Sequence, residues 1–333
     1  MKKTLFTLAS IAVLGASHSF AADKEYILAT ATTGGTYYPV GVALSTLSKV
    51  KIEPQHHFSL SAISSGGSDE NIRLLANKEV QFAILQGLYG YYAWTGTGPM
   101  QAAGKQDKLR SISMLWQNVE HFLIDGKKVD KGSVSDYIGL KGDRMAMGTR
   151  NSGTIGSNEA LLSGLGIDIN KDYNLMYGGY GPSADALQNK QVAGASIPAG
   201  APAGAVTKLF AAVGDQVTIL NVSDEELAKM DNGRNLWTRY VIPKGTYVSV
   251  DRDIQTIAQP NLLATTTDMS NDEVYELTKA IYENLPFLQG IHSATKAMSL
   301  EKAIEGLPMP LHPGAARYYK EQGISIPERL LVD

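Results

Sequence analysis

The 333-residue chain contains no cysteine. Disulfides, thiolate metal sites and cysteine nucleophiles are therefore excluded, as is a lipid-modified cysteine behind a leader. Lys and Arg form no run, and the formal net charge is −3, so the electrostatic footprint of a nucleic-acid binder is missing. Beyond the N-terminal segment no apolar stretch reaches the length of about 20 residues that spans a bilayer. His-x-x-x-His, His-Glu-x-x-His and Gly-x-Ser-x-Gly do not occur, and no glycine loop is followed by Lys-Ser/Thr or fits a dinucleotide fingerprint. No metal and no cofactor is expected.

What is present begins with a leader. Lys2 and Lys3 precede an apolar run over residues 5–15, and Ser19-Phe20-Ala21 stands before Ala22-Asp23-Lys24. This is the layout of a secretory signal peptide, with cleavage expected after Ala21; a membrane anchor would need a longer apolar run. Export without a lipid anchor predicts a soluble periplasmic protein. Removing 21 of the 333 residues leaves enough chain for two domains.

Glycine is abundant at 33 residues and falls between short strand and helix patterns. Strands are expected at 26–32, 57–63, 80–85, 144–148, 174–177, 192–197 and 258–265. Helices are expected at 38–50, 69–77, 89–94, 155–165, 183–189, 202–212, 224–229, 272–285 and 313–322. That alternation predicts an α/β protein with mostly parallel sheets. Extended stretches at 115–124 and 237–247 suggest two crossings between two lobes. The expected organisation is a two-lobed binding protein: signal peptide 1–21, first lobe 22–116, second lobe 117–238, and a return to the first lobe over 239–333.

Three strand-to-helix turns share small residues, hydroxyls and glycines: Thr33-Gly34-Gly35-Thr36, Ser65-Gly66-Gly67-Ser68 and Asn151-Ser152-Gly153-Thr154. A helix N-terminus leaves N–H groups unpaired and carries partial positive charge, so such turns bind anions without Lys or Arg. Ser and Thr also favour these positions as plain caps; three such turns in one chain favour the binding reading. Arg150, inside the third turn, could clamp a ligand carboxylate or sit in solvent. Among the histidines, His121 falls on the first crossing, either facing the cleft or satisfied in the interior. An exported hydrolase using Ser68 or Ser152 with His121 is the competing reading. A binding protein that feeds a sensor is another.

Thr33-Gly34-Gly35-Thr36-Tyr37-Tyr38-Pro39-Val40-Gly41 resembles the opening signature of the TAXI family, the substrate-binding proteins of one branch of the tripartite ATP-independent periplasmic (TRAP) transporters. Matching segments follow in order: residues 65–75, Phe82-Ala83-Ile84-Leu85-Gln86, residues 148–154, Gly200-Ala201-Pro202, and residues 312–319. The resemblance implies a periplasmic binding protein fold of the type with two crossing segments, closing on ligand and delivering it to an ion-gradient-driven TRAP permease. It implies glutamate, glutamine or a related C5 acid as ligand. By motif, first-lobe contacts fall on Gly35, Thr36, Tyr37, Ser65, Gly67, Ser68 and Gln86, and second-lobe contacts on Asn151, Ser152, Gly153 and Thr154.

The chain departs from that pattern at several positions. Gln86-Gly87-Leu88 replaces an expected Gln-Ser-Asp, Asn118 stands for a glutamate, Ala193-Gly194 for Asp-Ala, and Asn151 for a glycine. Fewer acids, with Arg150 nearby, point to a C5 dicarboxylate lacking an ammonium, with 2-oxoglutarate ahead of glutamate. Carbonyls and Glu120 are the groups that could still hold an ammonium. The chain is expected to act as a monomer and without catalysis.

Overall fold

The computed structural model describes residues 23–332; the expected signal peptide, residues 1–21, lies outside them. The strands are β1 (Lys24–Ala29), β2 (Phe58–Ile63), β3 (Phe82–Gln86), β4 (Leu109–Val119), β5 (Phe122–Asp125), β6 (Arg144–Ala146), β7 (Asn174–Met176), β8 (Gly194–Ser196), β9 (Val217–Ile219), β10 (Thr238–Ile242) and β11 (Ile254–Thr266). They form two sheets, giving the two-lobed α/β fold expected. The first runs β2-β1-β3-β11, with β4 and β10 also paired to β11; the second runs β7-β6-β8-β5-β9.

Parallel pairing is confined to one part of each sheet. β1 lies parallel to β2 and β3, and β6 lies parallel to β7 and β8. β11 runs antiparallel to β3, β4 and β10, and β5 antiparallel to β8 and β9. The sheets are thus more mixed than expected, because the crossing strands pair back on the sheets they leave.

The parallel units follow from local sequence. Phe82-Ala83-Ile84-Leu85 is a continuous apolar run, and every residue of β3 is buried, as a strand covered on both faces requires. In the helix Tyr37–Lys51, Val40, Ala43, Leu44 and Leu47 repeat at helical spacing and are buried, while Lys49 and Lys51 sit in the last turn, where cations favour the dipole. Truncating Leu44 or Leu47 to Ala would cost roughly 2–5 kcal/mol by opening a cavity.

Two passages join the lobes. The first is β4, continuing through Glu120 and His121 into β5. The second is β11, which begins in the second lobe's core and ends beside β3. From residue 239, where the return to the first lobe was expected, β10 pairs with β11 in the first sheet, while the residues that follow also pack on the second lobe. Ile242, Tyr247, Val250 and Ile254 pack in one cluster with Leu123, Ala195, Leu209 and Ile219. β10 is the antiparallel partner of the first half of β11.

Candidate functional site

A cleft lies between the lobes, lined from both. Its walls come from the carboxyl ends of strands. Ala31, Thr32, Gly35, Thr36 and Tyr37 follow β1; Gly66, Gly67 and Ser68 follow β2; Gln86 ends β3; Asn118 is near the end of β4. From the second lobe come Thr149, Ser152, Gly153 and Thr154 after β6, Gly178, Gly179 and Tyr180 after β7, and Pro198 and Ala199 after β8. Ligands of open α/β sheets bind at this edge.

Four helices begin there: Tyr37–Lys51, Ser68–Ala76, Gly153–Ser163 and Tyr180–Gln188. Only the third has a side-chain cap; the N-cap positions Thr36, Gly67 and Gly179 provide none. Elsewhere Ser223, Ser270 and His312 cap helices that start away from the cleft. The lining holds no Asp, Glu, Lys, Arg or His, so helix N-termini dominate its field, and that field is positive. Tyr37 and Tyr180 stay neutral, because burial pushes both phenols upward.

Two glycines are required by geometry. Gly67 has φ of 112°, a conformation disfavoured for side chains with a Cβ. A Cβ on Gly153 would stand 2.5 Å from Gln86 Oε1 and 2.9 Å from Ser68 Oγ, both on the opposite lobe.

Nine of the twelve residues expected from sequence line the cleft: Gly35, Thr36, Tyr37, Gly67, Ser68, Gln86, Ser152, Gly153 and Thr154. Ser65 does not; its hydroxyl donates to Thr30 O at 3.0 Å or Asn71 Oδ1 at 2.6 Å and accepts from Gly67 N at 3.1 Å, which fixes the turn. Arg150 is exposed and lies over the Tyr177 ring at 3.8 Å, so it clamps nothing in the cleft. Asn151 is exposed at φ of 56°, its carbonyl accepting from Glu70 N at 3.3 Å; the left-handed turn points its side chain away. Thr32, Gly178, Gly179 and Tyr180 were not expected. The turn 178–180 repeats the strand–glycine–helix order without a Ser or Thr.

Polar groups bind the lobes to each other across the cleft. Thr36 Oγ1 donates to Gly200 O at 3.2 Å, Thr149 Oγ1 to Gly66 O at 3.3 Å, and Ala205 N to Gly34 O at 3.2 Å. Ser157 Oγ donates to Gln86 Oε1 and accepts from Gln259 Nε2, both at 3.1 Å, and Gln259 Oε1 accepts from Leu88 N at 2.9 Å. Thr154 Oγ1 lies 2.8 Å from Tyr180 OH, which donates to Pro198 O at 2.8 Å. The lobes are closed on the cleft.

The first passage is buried and polar. His121 Nδ1 faces Val119 O at 2.9 Å and Ile197 O at 3.0 Å, while Nε2 lies 2.8 Å from Tyr247 OH. Burial lowers its pKa to about 4, so neutral His121 donates from Nδ1 and accepts from Tyr247. Both ring nitrogens are engaged, and neither meets Ser68 or Ser152, so the hydrolase arrangement is not formed. Glu120 is fully buried. Burial pushes its carboxyl up to about 8, opposed by the Trp237 indole, which donates to Oε1 at 3.3 Å. Glu120 does not line the cleft.

The profile of the NMT1-like family matches residues 28–323. The fold is similar to that of MatC from Rhodopseudomonas palustris, a structure with bound malate, at TM-score 0.56 and 11% identity over 89% of this chain and 98% of MatC. It is similar to the periplasmic binding protein BugD at TM-score 0.54 and 13% identity, over 91% of this chain and 94% of BugD. It is also similar to a binding protein component of an ABC phosphonate transporter from Pseudomonas aeruginosa, at TM-score 0.52 and 10% identity over 83% of this chain and 80% of that one. Among the described residues, no helix is long and apolar enough to cross a membrane.

Proposed function

The chain belongs to the NMT1-like family, and from that premise we propose that it is an exported, non-enzymatic solute-binding protein that closes on a small organic anion. One observation carries this reading: four helix N-termini from two lobes meet in a cleft whose lining has no charged side chain. The ligand we propose is a C5 dicarboxylate, 2-oxoglutarate ahead of glutamate. An ammonium would enter a lining without a carboxylate, and burying an unpaired cation is costly. Two earlier reasons for that order no longer apply: Leu88 and Ala193 lie in the hydrophobic core, and Arg150 lies outside the cleft. Asn118 and the neutral lining remain. The malate held by MatC is a dianionic organic acid of similar size.

The leader pattern of residues 1–21 supports the periplasm as the site of capture. The ordered motifs from Thr33 to Tyr319 support a TRAP permease as the recipient. The direct test is calorimetric titration of 2-oxoglutarate and glutamate into the mature protein, with a thermal-shift control in which ligand at 100 times its Kd adds roughly 2.7 kcal/mol. Saturable binding, tighter for 2-oxoglutarate, is expected. Tighter binding of glutamate would overturn the ligand order, and no binding of either would overturn the dicarboxylate reading.

A further inference from the structure

Among the buried side chains that line the cleft, one has every polar atom without a partner. Asn118 is 1% exposed and lines the cleft, yet neither its Oδ1 nor its Nδ2 has a partner. Buried amides are normally satisfied, and leaving one unpaired is costly. Asn71 in the same lobe shows the usual outcome: its Nδ2 donates to Thr30 O at 2.7 Å and Ile84 O at 2.9 Å, and its Oδ1 faces the Ser65 hydroxyl at 2.6 Å.

The neighbours of Asn118 do not fill the gap. Its cross-strand partner on β11 is Gln259, whose oxygen accepts from Leu88 N and whose nitrogen donates to Ser157. The lining hydroxyls of Thr36 and Ser152 donate to backbone carbonyls, and that of Thr154 pairs with Tyr180. Exchanging the amide oxygen and nitrogen changes nothing, since both atoms lack partners.

We infer that Asn118 is a specificity-determining residue that reads a hydroxyl on the bound anion. This rests on the cleft being the organic-acid site proposed above, and within the C5 dicarboxylates it places a hydroxy acid ahead of 2-oxoglutarate. A primary amide offers two donors and one acceptor. A hydroxyl answers both, donating to the oxygen while accepting from the nitrogen. An oxo group only accepts, so it leaves the amide oxygen unpaired. A methylene does neither. An ammonium only donates, and it brings a charge for which the lining has no counterion.

The test titrates glutarate, 2-oxoglutarate and the two enantiomers of 2-hydroxyglutarate, each separately, into the wild-type protein and into Asn118→Leu. In the wild type, one hydroxy enantiomer is expected to bind about tenfold or more tightly than 2-oxoglutarate, the worth of one buried hydrogen bond. In Asn118→Leu that preference should shrink to about twofold while glutarate affinity is kept, with circular dichroism confirming the fold. The wild-type series stands alone if the variant fails to fold. 2-Oxoglutarate binding as tightly as the better enantiomer, or a preference that survives in Asn118→Leu, would overturn the role of Asn118 and leave the organic-acid reading intact. If none of the four acids binds, both readings fall.

Discussion

Ser152 and Thr36 carry the same kind of hydroxyl at the same kind of turn, and the structure gives them different work. Ser152 Oγ donates to Thr149 O at 2.7 Å and accepts from Ile155 N at 3.2 Å; it is a helix cap within one lobe. Ser152→Ala should therefore lower stability by about 1 kcal/mol and leave ligand affinity nearly unchanged. Thr36 Oγ1 reaches Gly200 O on the other lobe, a bond that exists only when the lobes meet. Thr36→Val should weaken binding by about 0.5–1.5 kcal/mol with the ligand-free melting temperature largely kept. Thermal denaturation and titration of both variants separate the two roles; the reverse pattern would contradict the assignment. Residue type was readable from sequence here, but direction was not. Ser65, Arg150 and Asn151 belong to suitable turns, yet one bonds inward, one stacks on Tyr177 and one turns outward. Asn118 shows the converse: in sequence it stands beside Gln117, Glu120 and His121 as one of several polar residues, and its burial in the cleft without a partner sets it apart.

At the scale of elements, the strand–turn–helix units were legible because periodicity and glycine punctuation agree. The helix expected at 38–50 is Tyr37–Lys51, and that expected at 155–165 is Gly153–Ser163. The fourth anion-facing turn escaped because Gly178-Gly179-Tyr180 lacks the Ser or Thr that marked the others. The first passage makes a pH prediction. Glu120, with its pKa raised to about 8 from 4.5, binds its proton more tightly in the folded chain. Its stabilising contribution is complete below pH 4.5 and is lost as pH rises through 8. His121 and His312, lowered to about 4, act oppositely, their contribution lost as pH falls from 6.5 through 4. Stability should then peak near pH 6.5 and fall by roughly 1.5–2 kcal/mol by pH 8 through Glu120. Denaturant melts at several pH values should show that alkaline fall in the wild type and its loss in Glu120→Gln; an equal slope in both would place its origin elsewhere.

For the whole molecule, closure brings the chemistry together. Neither lobe alone presents four helix N-termini, and the bonds from Thr36, Thr149 and Ser157 to the opposite lobe require contact between them. A ligand gains those contacts only in the closed form, so its binding should bias the lobes toward closure. Gly153 allows this test to be made without disturbing either core. It is helical rather than left-handed, so a side chain is tolerated by the backbone, but a Cβ there runs into Gln86 and Ser68 of the facing lobe. Gly153→Leu should act as a wedge between two folded lobes. The decisive measurement is calorimetric titration of the C5 dicarboxylates into the wild type and Gly153→Leu side by side. Capture between the lobes predicts saturable one-site binding in the wild type and at least about a hundredfold loss in the variant, since several hydrogen bonds of about 1 kcal/mol each are broken together. Equal affinity in the two proteins would show that the ligand is bound elsewhere.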